Sequence, residues 1–398
     1  LPTKPIKIGI IGCGDIARAH LRSYEQIMQK ERDLFRITGV CDHVEERAQA
    51  FAEEVATWQD ARPMVHPDVH KMVVHYEIDG ADICTPHYDH HVSAVQCLEA
   101  GSNVLIEKPF GVTVKASNLI IEAAKKNGLI TACAGHVRRT PTHRAAHWAI
   151  NDRGMIGQPR TFYIQEAVYR KPEQPPDWHW RTDKWMGGGG LIMDQGVHFA
   201  DTVRYLFGDP TRVYATVRQH EKWPYIRDGK TVYDDREDTW MAIINFESGA
   251  DGFWSFSAVA PGQELHSIVC YGSEGCVVDE GDVFRGPSPN ARFVRPGQEA
   301  QALSDIIPEF MKSLSAEQRG RLFPHGFEDG MTLEIYDFLR AVATETQPEV
   351  TGDEGLKSKA VCEAIYESAY CREALPYADV LSGYIEGYQR EINEYWGI

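Results

Sequence analysis

Short β-branched runs alternate with amphipathic stretches through the first third of the chain. The apolar run IKIGIIG (6–12) precedes a helical pattern from Ile16 to about Lys30. FRITGVCD (35–42) reads as a strand and Glu45 to Ala56 as a helix. The series continues with ADICTP (81–86), a helix near His91–Ala100, NVLIEKP (103–109), a helix near Lys115–Lys126 and LITACAG (129–135). Strands alternating with helices at this spacing predict a mostly parallel sheet with helices on both faces.

The rhythm changes after about Arg139. A helix near His143–Asp152 leads to PRTFYIQEAVYR (159–170), a long alternating strand, then a Gly-rich turn and a helical run to about Phe207. Strands near Arg212–Gln219, Thr239–Phe246, Ala250–Ala258 and Leu265–Tyr271 are joined by turns such as ESGAD and GSEGC, which predicts a mostly antiparallel sheet. The stretch 284–326 is polar, Pro-rich and irregular, and reads as an insertion or lid. Helices over about 329–346, 355–372 and 381–395 close the chain. The expected division is 1–137 for one domain and 138–398 for the other.

Composition narrows the classes. With 398 residues, 43% of them hydrophobic, the chain has ample apolar material for two or three domains. The balance of 41 Lys+Arg against 58 Asp+Glu gives −17, which argues against a general nucleic-acid binder. No stretch approaches the ~20 apolar residues of a membrane span. The start, LPTKPIKIGIIG, lacks the regions of a secretory signal, so none is expected. Nine scattered cysteines without a C-x-x-C pair read as reduced core residues, and thus as a cytoplasmic protein.

GIIGCGDIA places Gly12, Gly14 and Ala17 in the pattern G-x-G-x-x-A between a strand and a helix. Gly12 permits the tight turn, Gly14 lets the backbone approach a pyrophosphate, and Ala17 allows close helix–strand packing. The phosphates would meet the free N–H groups of the first turn, at Asp15 and Ile16. Asp42 ends the second strand, where a carboxylate accepts from ribose hydroxyls and repels a 2′-phosphate; this favours NAD over NADP. The other role for Asp42 is to cap the helix near Glu45, and His43 and Arg47 keep NADP in view.

Strand NVLIE ends in Glu107-Lys108-Pro109, and strand ends in open α/β sheets face the ligand crevice. A lysine there, beside a nicotinamide, polarises a substrate hydroxyl or relays its proton; the alternative is a surface lysine. In GGGGLIMDQGVHFAD (187–201), Asp194 and His198 lie four apart and would share a helix face. Removing hydride from a secondary alcohol needs a base for the hydroxyl proton, which suits His198 oriented by Asp194. The plain alternative is a helix-surface pair. The glycines 187–190 would let the backbone pass close to a ligand.

These motifs together resemble the Gfo/Idh/MocA family of oxidoreductases, along 6–207 and again at TGDEGLKSKAVCEAIYESA. The carrying segments are GIIGCGDIA, TPHYDHHVSAVQCLEAGSNVLIEKP and GGGGLIMDQGVHFAD. The resemblance implies an N-terminal Rossmann dinucleotide-binding domain and a C-terminal α+β domain whose large open sheet forms subunit interfaces, hence a homo-oligomer. It implies Lys108, Asp194 and His198 as the catalytic trio. Thr85, Pro86 and His90 would line the nicotinamide side, with Glu107 and Lys108 also at the cofactor. Two departures stand out: His87 follows T-P where many members have Asn, and GHVRR (135–139) has His136 in place of an aromatic residue. Arg138 or Arg139 would face substrate or bridge domains. His87, His90 and His91 lack the carboxylate or Cys context of a closed metal site, so no metal is expected.

The segment DWHWRTDKWM suggests Arg181 and Trp185, with His136 and Arg138, as substrate residues. Aromatic faces stack on sugar C–H faces, and guanidinium groups donate to hydroxyls; alternatively the tryptophans pack under the sheet. The expected activity is NAD-dependent oxidation of a secondary hydroxyl of a sugar, polyol or glycoside. Two other readings are a redox-assisted glycosidase, which returns its hydride and accumulates no NADH, and a non-catalytic nucleotide sensor. The retained Lys108, Asp194 and His198 argue against the sensor. The particular sugar, carbon and direction are not written in the sequence.

Overall fold

The computed structural model describes residues 4–398. Its first part is the predicted alternation: β1 (Ile6–Ile11), α1 (Asp15–Lys30), β2 (Phe35–Cys41), α2 (Glu45–Ala56), β3 (Met64–Val65), α3 (Val69–Tyr76), β4 (Gly80–Ile83), α4 (His90–Glu99), β5 (Asn103–Ile106), α5 (Val114–Asn127) and β6 (Thr131–Cys133). The six strands pair in parallel in the order β3-β2-β1-β4-β5-β6. Both faces are covered, so Ile8, Ile10, Ile37, Val40, Val104 and Ile106 are buried on strands with little polar alternation. Sequence reading missed β3 and α3. A two-residue strand carries no period, and VHKMVVHY owes its start to Asp68, whose carboxylate accepts from the Lys71 amide at 2.8 Å.

The described residues up to Arg139, with Leu322–Leu356, form one compact unit; Thr140–Arg321 with Lys357–Ile398 form the other. The chain thus returns to its first unit through the helix Gly330–Thr344, which the expected division gave to the second domain. Leu333, Ile335, Phe338 and Leu339 of this helix are buried. Thr332 Oγ1 donates to Ser23 Oγ on α1 at 3.1 Å, and a Cβ added at Gly80 would meet the Phe338 ring at 3.1 Å. Helical periodicity reveals a buried face but not the sheet that buries it.

The second unit holds a nine-stranded mixed sheet. Its strands are β7 (Pro159–Ala167), β8 (Pro210–Arg218), then, after the hairpin β9 (Pro224–Arg227) and β10 (Lys230–Tyr233), β11 (Thr239–Phe246), β12 (Asp251–Ser257), β13 (Leu265–Gly272), β14 (Cys276–Asp279), β15 (Arg292–Val294), β16 (Gln301–Ala302) and β17 (Leu375–Pro376). The order is β16-β15-β14-β13-β7-β12-β11-β8-β17, with β7 and β12 parallel and the other neighbours antiparallel. One face packs Phe162, Ile164, Trp240, Trp254 and Phe256 into the core. On the other face Val269, Tyr163, Phe253, Ile243 and Tyr214 lie directly opposite one another across five strands, and Tyr163, Ile243 and Tyr214 are exposed.

Three expectations are corrected here. The stretch 284–326 is no irregular lid: it supplies β15, β16 and the helices Leu303–Ser313 and Ala316–Leu322. Leu303, Ile306 and Phe310 bury one helix face, at a spacing that Pro308 obscures in the sequence. The closing helix expected over 381–395 is split into Tyr377–Leu381 and Gln389–Trp396, with Gly383 at φ 79° between them. The nine cysteines are free thiols, but Cys276 is half-buried and Cys371 exposed rather than core. Among the described residues no helix is long and apolar enough to cross a membrane.

Candidate active site

In the first unit the strand ends of β1, β2, β4 and β5 lie side by side. Gly12 N donates to Cys41 O at 2.8 Å, Cys84 N to Ile11 O at 2.8 Å, and Glu107 N to Ile83 O at 3.0 Å. Gly12 has φ 83°, and a Cβ there would meet the backbone of Cys84 and Thr85 at 2.9 Å. Only glycine serves there. Gly14 differs: nothing lies within 4 Å of a Cβ built on it, and it starts α1 without a side-chain cap. Open space therefore faces the amides of Asp15 and Ile16, a setting that fits a pyrophosphate. Asp15 is exposed, Ile16 half-buried and Ala17 buried against the sheet.

Asp42 is 7% exposed. Its Oδ2 accepts from Cys13 N and its Oδ1 from Val44 N, both at 2.8 Å. The carboxylate thus ties the turn after β1 to the end of β2. Each oxygen retains a lone pair for a ribose hydroxyl, so the donor set fits an adenosine ribose. Asp42 is not the cap of α2, whose N-cap is Val44 without a side-chain bond. Arg47 Nη1 stands 3.6 Å from Asp42 Oδ2.

Thr85 and Pro86 follow β4 and are half-buried. His90, expected beside the nicotinamide, is instead a buried brace at 0% exposure. Its Nε2 contacts Thr85 O at 2.8 Å and its Nδ1 contacts Pro109 O at 2.9 Å, joining the loops after β4 and β5. Burial pushes its ring below the usual histidine range, against the pull of those carbonyls. Glu107 is likewise buried: 4% exposed, it meets His20 Nε2 at 3.0 Å and accepts from Lys108 N at 3.1 Å. Lys108 itself is half-buried. His136 is half-buried too, and its charge acts on Glu107. Arg138 is buried, with Nη1 3.9 Å from Glu354. Arg139 is anchored on Asp337 at 3.0 Å and Glu349 at 3.4 Å. A buried arginine between two acids holds structure.

In the second unit the motif 187–201 is not one helix. The segments Leu191–Asp194 and Gly196–Phe207 are separated at Gln195. Gly196 approaches the sheet so closely that a Cβ would meet the Trp254 ring at 2.6 Å. Asp194 and His198 therefore sit on successive segments. Asp194 Oδ1 accepts from Arg181 Nε at 3.4 Å and Oδ2 from Gln195 Nε2 at 3.1 Å. Gln195 Oε1 accepts from Arg285 Nη2 at 2.9 Å, so a chain of polar groups leads to Asp194 from a side pocket lined by Glu166, Arg170 and His266. His198 is 4% exposed.

Two glycines of the run approach side chains of the protein itself. A Cβ on Gly189 would meet the Tyr366 hydroxyl at 2.3 Å, and one on Gly190 would meet Glu237 at 2.6 Å. Glu237 accepts from Gly190 N at 3.0 Å and Ile192 N at 2.9 Å, fixing the segment that carries Asp194. Trp185, expected at substrate, packs on the end of the chain. Its ring stacks on Tyr395 at 5.3 Å, and its carbonyl accepts from Trp396 Nε1 at 2.7 Å. Arg181 lies over Trp180 at 4.3 Å. Sequence reading missed Glu237, Gln195 and Arg285. Only Gln195, inside the D-Q-G-V-H motif, carried a local signal.

Residues 6–135 match the profile of the oxidoreductase family with an NAD-binding Rossmann fold, and 144–278 match the GFO/IDH/MocA C-terminal domain. The chain belongs to the Gfo/Idh/MocA oxidoreductase family. It is an NAD-dependent oxidoreductase, and its first domain binds NAD. It is 25% identical over 371 residues to 1,5-anhydro-D-fructose reductase of Ensifer adhaerens, covering 92% of this chain and 97% of the relative. It is 28% identical over 218 residues to D-glucoside 3-dehydrogenase of Escherichia coli (strain K12), covering 53% and 56%. A levoglucosan dehydrogenase solved with NADH and levoglucosan shares the fold, at a TM-score of 0.75 and 22% identity over 94% of this chain and 100% of that one.

Proposed function

We propose that the protein oxidises a secondary hydroxyl on a sugar, polyol or glycoside ring. The observation that carries this reading lies in the first unit. Lys108 leaves β5 at the carboxyl end of the same parallel sheet that holds the open turn at Gly14 and the Asp42 carboxylate. When bound, NAD supplies the hydride acceptor. In the first unit Lys108 polarises a substrate hydroxyl; in the second, the family resemblance supports His198 as a base, with Asp194 as the acid on the preceding segment. Arg138, Arg181 and His136 contribute to substrate binding. The relatives' names specify an anhydro-D-fructose, a D-glucoside and levoglucosan, which supports a carbohydrate ring.

The test is a panel of methyl α- and β-D-glucoside, levoglucosan, myo-inositol and D-glucose with NAD or NADP, following reduced nicotinamide. Turnover with NADH accumulation is expected. Glycoside cleavage without it would establish the redox-assisted glycosidase instead. Lys108→Ala and His198→Ala should each lose at least about 100-fold in kcat; unchanged rates in both would sink the assignment.

We also infer a cytoplasmic homo-oligomer. Free thiols suit a reducing compartment, and the exposed apolar row across the large sheet suits a second copy of the chain. A monomer by light scattering at micromolar concentration would overturn the second point.

A further inference from the structure

We propose that His20 is a positioning residue for Lys108: clamped between two carboxylates, its imidazolium keeps Glu107 ionised at the base of the lysine. The inference rests on the reading of Lys108 as a catalytic group.

His20 lies on α1 and is 0% exposed, as is Asp82 at the end of β4. Its Nδ1 is 2.8 Å from Asp82 Oδ2 and its Nε2 is 3.0 Å from Glu107 Oε1. Ionised carboxylates only accept, so a ring satisfied by one on each nitrogen carries both protons. Burial opposes that charge, but Asp82 and then Cys84 outweigh it and hold the ring well above its ordinary range. Burial also opposes ionisation of Glu107. The hydrogen bond and charge of His20, then Lys108 and His136, overcome it and hold that carboxyl down to about 2. The second oxygen of Glu107 accepts the Lys108 amide at 3.1 Å. The helix that presents its N-terminus at Gly14 and the strand that presents Lys108 are thereby joined through one buried cation.

The surroundings explain why the cation must be this one. Glu107 is faced by His20 of α1, Asp82 of β4 and Cys84 just after it, Lys108 and His136, and Glu334 of the helix Gly330–Thr344. Tyr24 of α1 also feels Asp82 and Glu334. Arg139 acts on Glu334 but is committed to Asp337 and Glu349. Glu334 Oε1 is 3.8 Å from His20 Nε2, and among the described residues neither Glu334 oxygen has a hydrogen-bond partner. Burial pushes this carboxyl well up, against the pull of His20. His20 is thus the buried side-chain cation hydrogen-bonded to Glu107. The ligand atoms of His20, Asp82 and Cys84, or of His20, Glu107 and Glu334, are close enough to hold a metal ion.

The decisive variant is His20→Gln, which keeps a donor but removes the charge. Without its counter-ion the buried Glu107 takes up a proton at neutral pH. With NAD and the best substrate of the panel above, the ratio of variant to wild-type kcat should fall to about one-tenth or less at pH 6 and recover as pH rises and Glu107 ionises; taking the ratio removes any limb common to both proteins. The KM for NAD should change less than about 3-fold. Glu107→Gln should show the loss without the added acid limb, and the double variant should match Glu107→Gln alone. A pH-independent loss in His20→Gln, no loss at all, or additive losses in the double variant would overturn the proposal.

If His20→Gln fails to fold, 15N-histidine NMR of the wild-type protein decides. A ring protonated on both nitrogens at pH 8 supports the proposal, and a neutral ring or a stoichiometric metal ion in the purified protein overturns it. Full turnover in Lys108→Ala would instead remove the catalytic reading, leaving the NMR result to stand separately.

Discussion

In the first unit, backbone holds the functional groups. Gly12 abuts the Cys84–Thr85 peptide, Asp42 accepts from two amides, and Lys108 leaves a strand whose neighbours fix its end. In the second unit, side chains perform that task. Glu237 grips the amides before Asp194, Arg181 and Gln195 bond its carboxylate, and Arg285 bonds Gln195. A site held by backbone fails through sterics at one glycine. A site held by side chains weakens gradually as each hydrogen bond is removed.

That contrast predicts a ranking. Gly12→Ala should be the most damaging: left-handed backbone and contact with a peptide together cost about 2–6 kcal/mol. Isothermal titration should show NAD binding abolished or the protein unfolded. Gly14→Ala should leave the melting temperature unchanged yet weaken NAD binding, because its Cβ enters open space meant for ligand. Equal damage from both glycine variants would break the comparison.

Next comes Glu237→Ala, which strips two charge-assisted bonds from the segment bearing Asp194. We expect about 2–4 kcal/mol of stability lost in urea titration and kcat reduced about 10-fold, with NAD affinity intact. Arg285→Ala should be milder, lowering kcat about 3-fold by freeing Gln195, since its guanidinium is a single partly exposed donor.

The smallest effect concerns a buried carboxyl of the second unit. Glu363 pairs with Lys359, both 0% exposed, and burial, against the pull of Lys359, raises its carboxyl to about 7. The folded state therefore binds the proton more tightly than the unfolded state. The stability this contributes is complete below the ordinary carboxylate range and is lost as pH rises through about 7. Melting temperatures at pH 5 and pH 8 should differ less in Glu363→Gln than in the wild type; an equal difference would exclude this group.

The legible parts of the site were those with local spacing. G-x-G-x-x-A placed the turn, and the apolar run before Glu107-Lys108 placed the lysine at a strand end. At three positions residue type alone did not reveal the partners that the fold supplies. His90 and Glu107 were assigned to the cofactor because polar groups follow strands there, yet neighbouring loops and His20 consume their hydrogen bonds. Trp185 was assigned to substrate because aromatic rings bind sugars, yet the end of the chain, more than 200 residues later, covers it.

The sequence by itself determined the parallel sheet, its phosphate-facing turn and the strand end bearing Lys108, because each depends on neighbours only a few residues apart. Tertiary structure decided that Gly330–Thr344 belongs with the first unit, that 284–326 extends a sheet, and that Gly189 and Gly190 abut Tyr366 and Glu237. It also decided that His20, Asp82, Glu107 and Glu334 share one buried space. Those four span more than 300 residues, and no local period records which distant charge will neutralise a buried one.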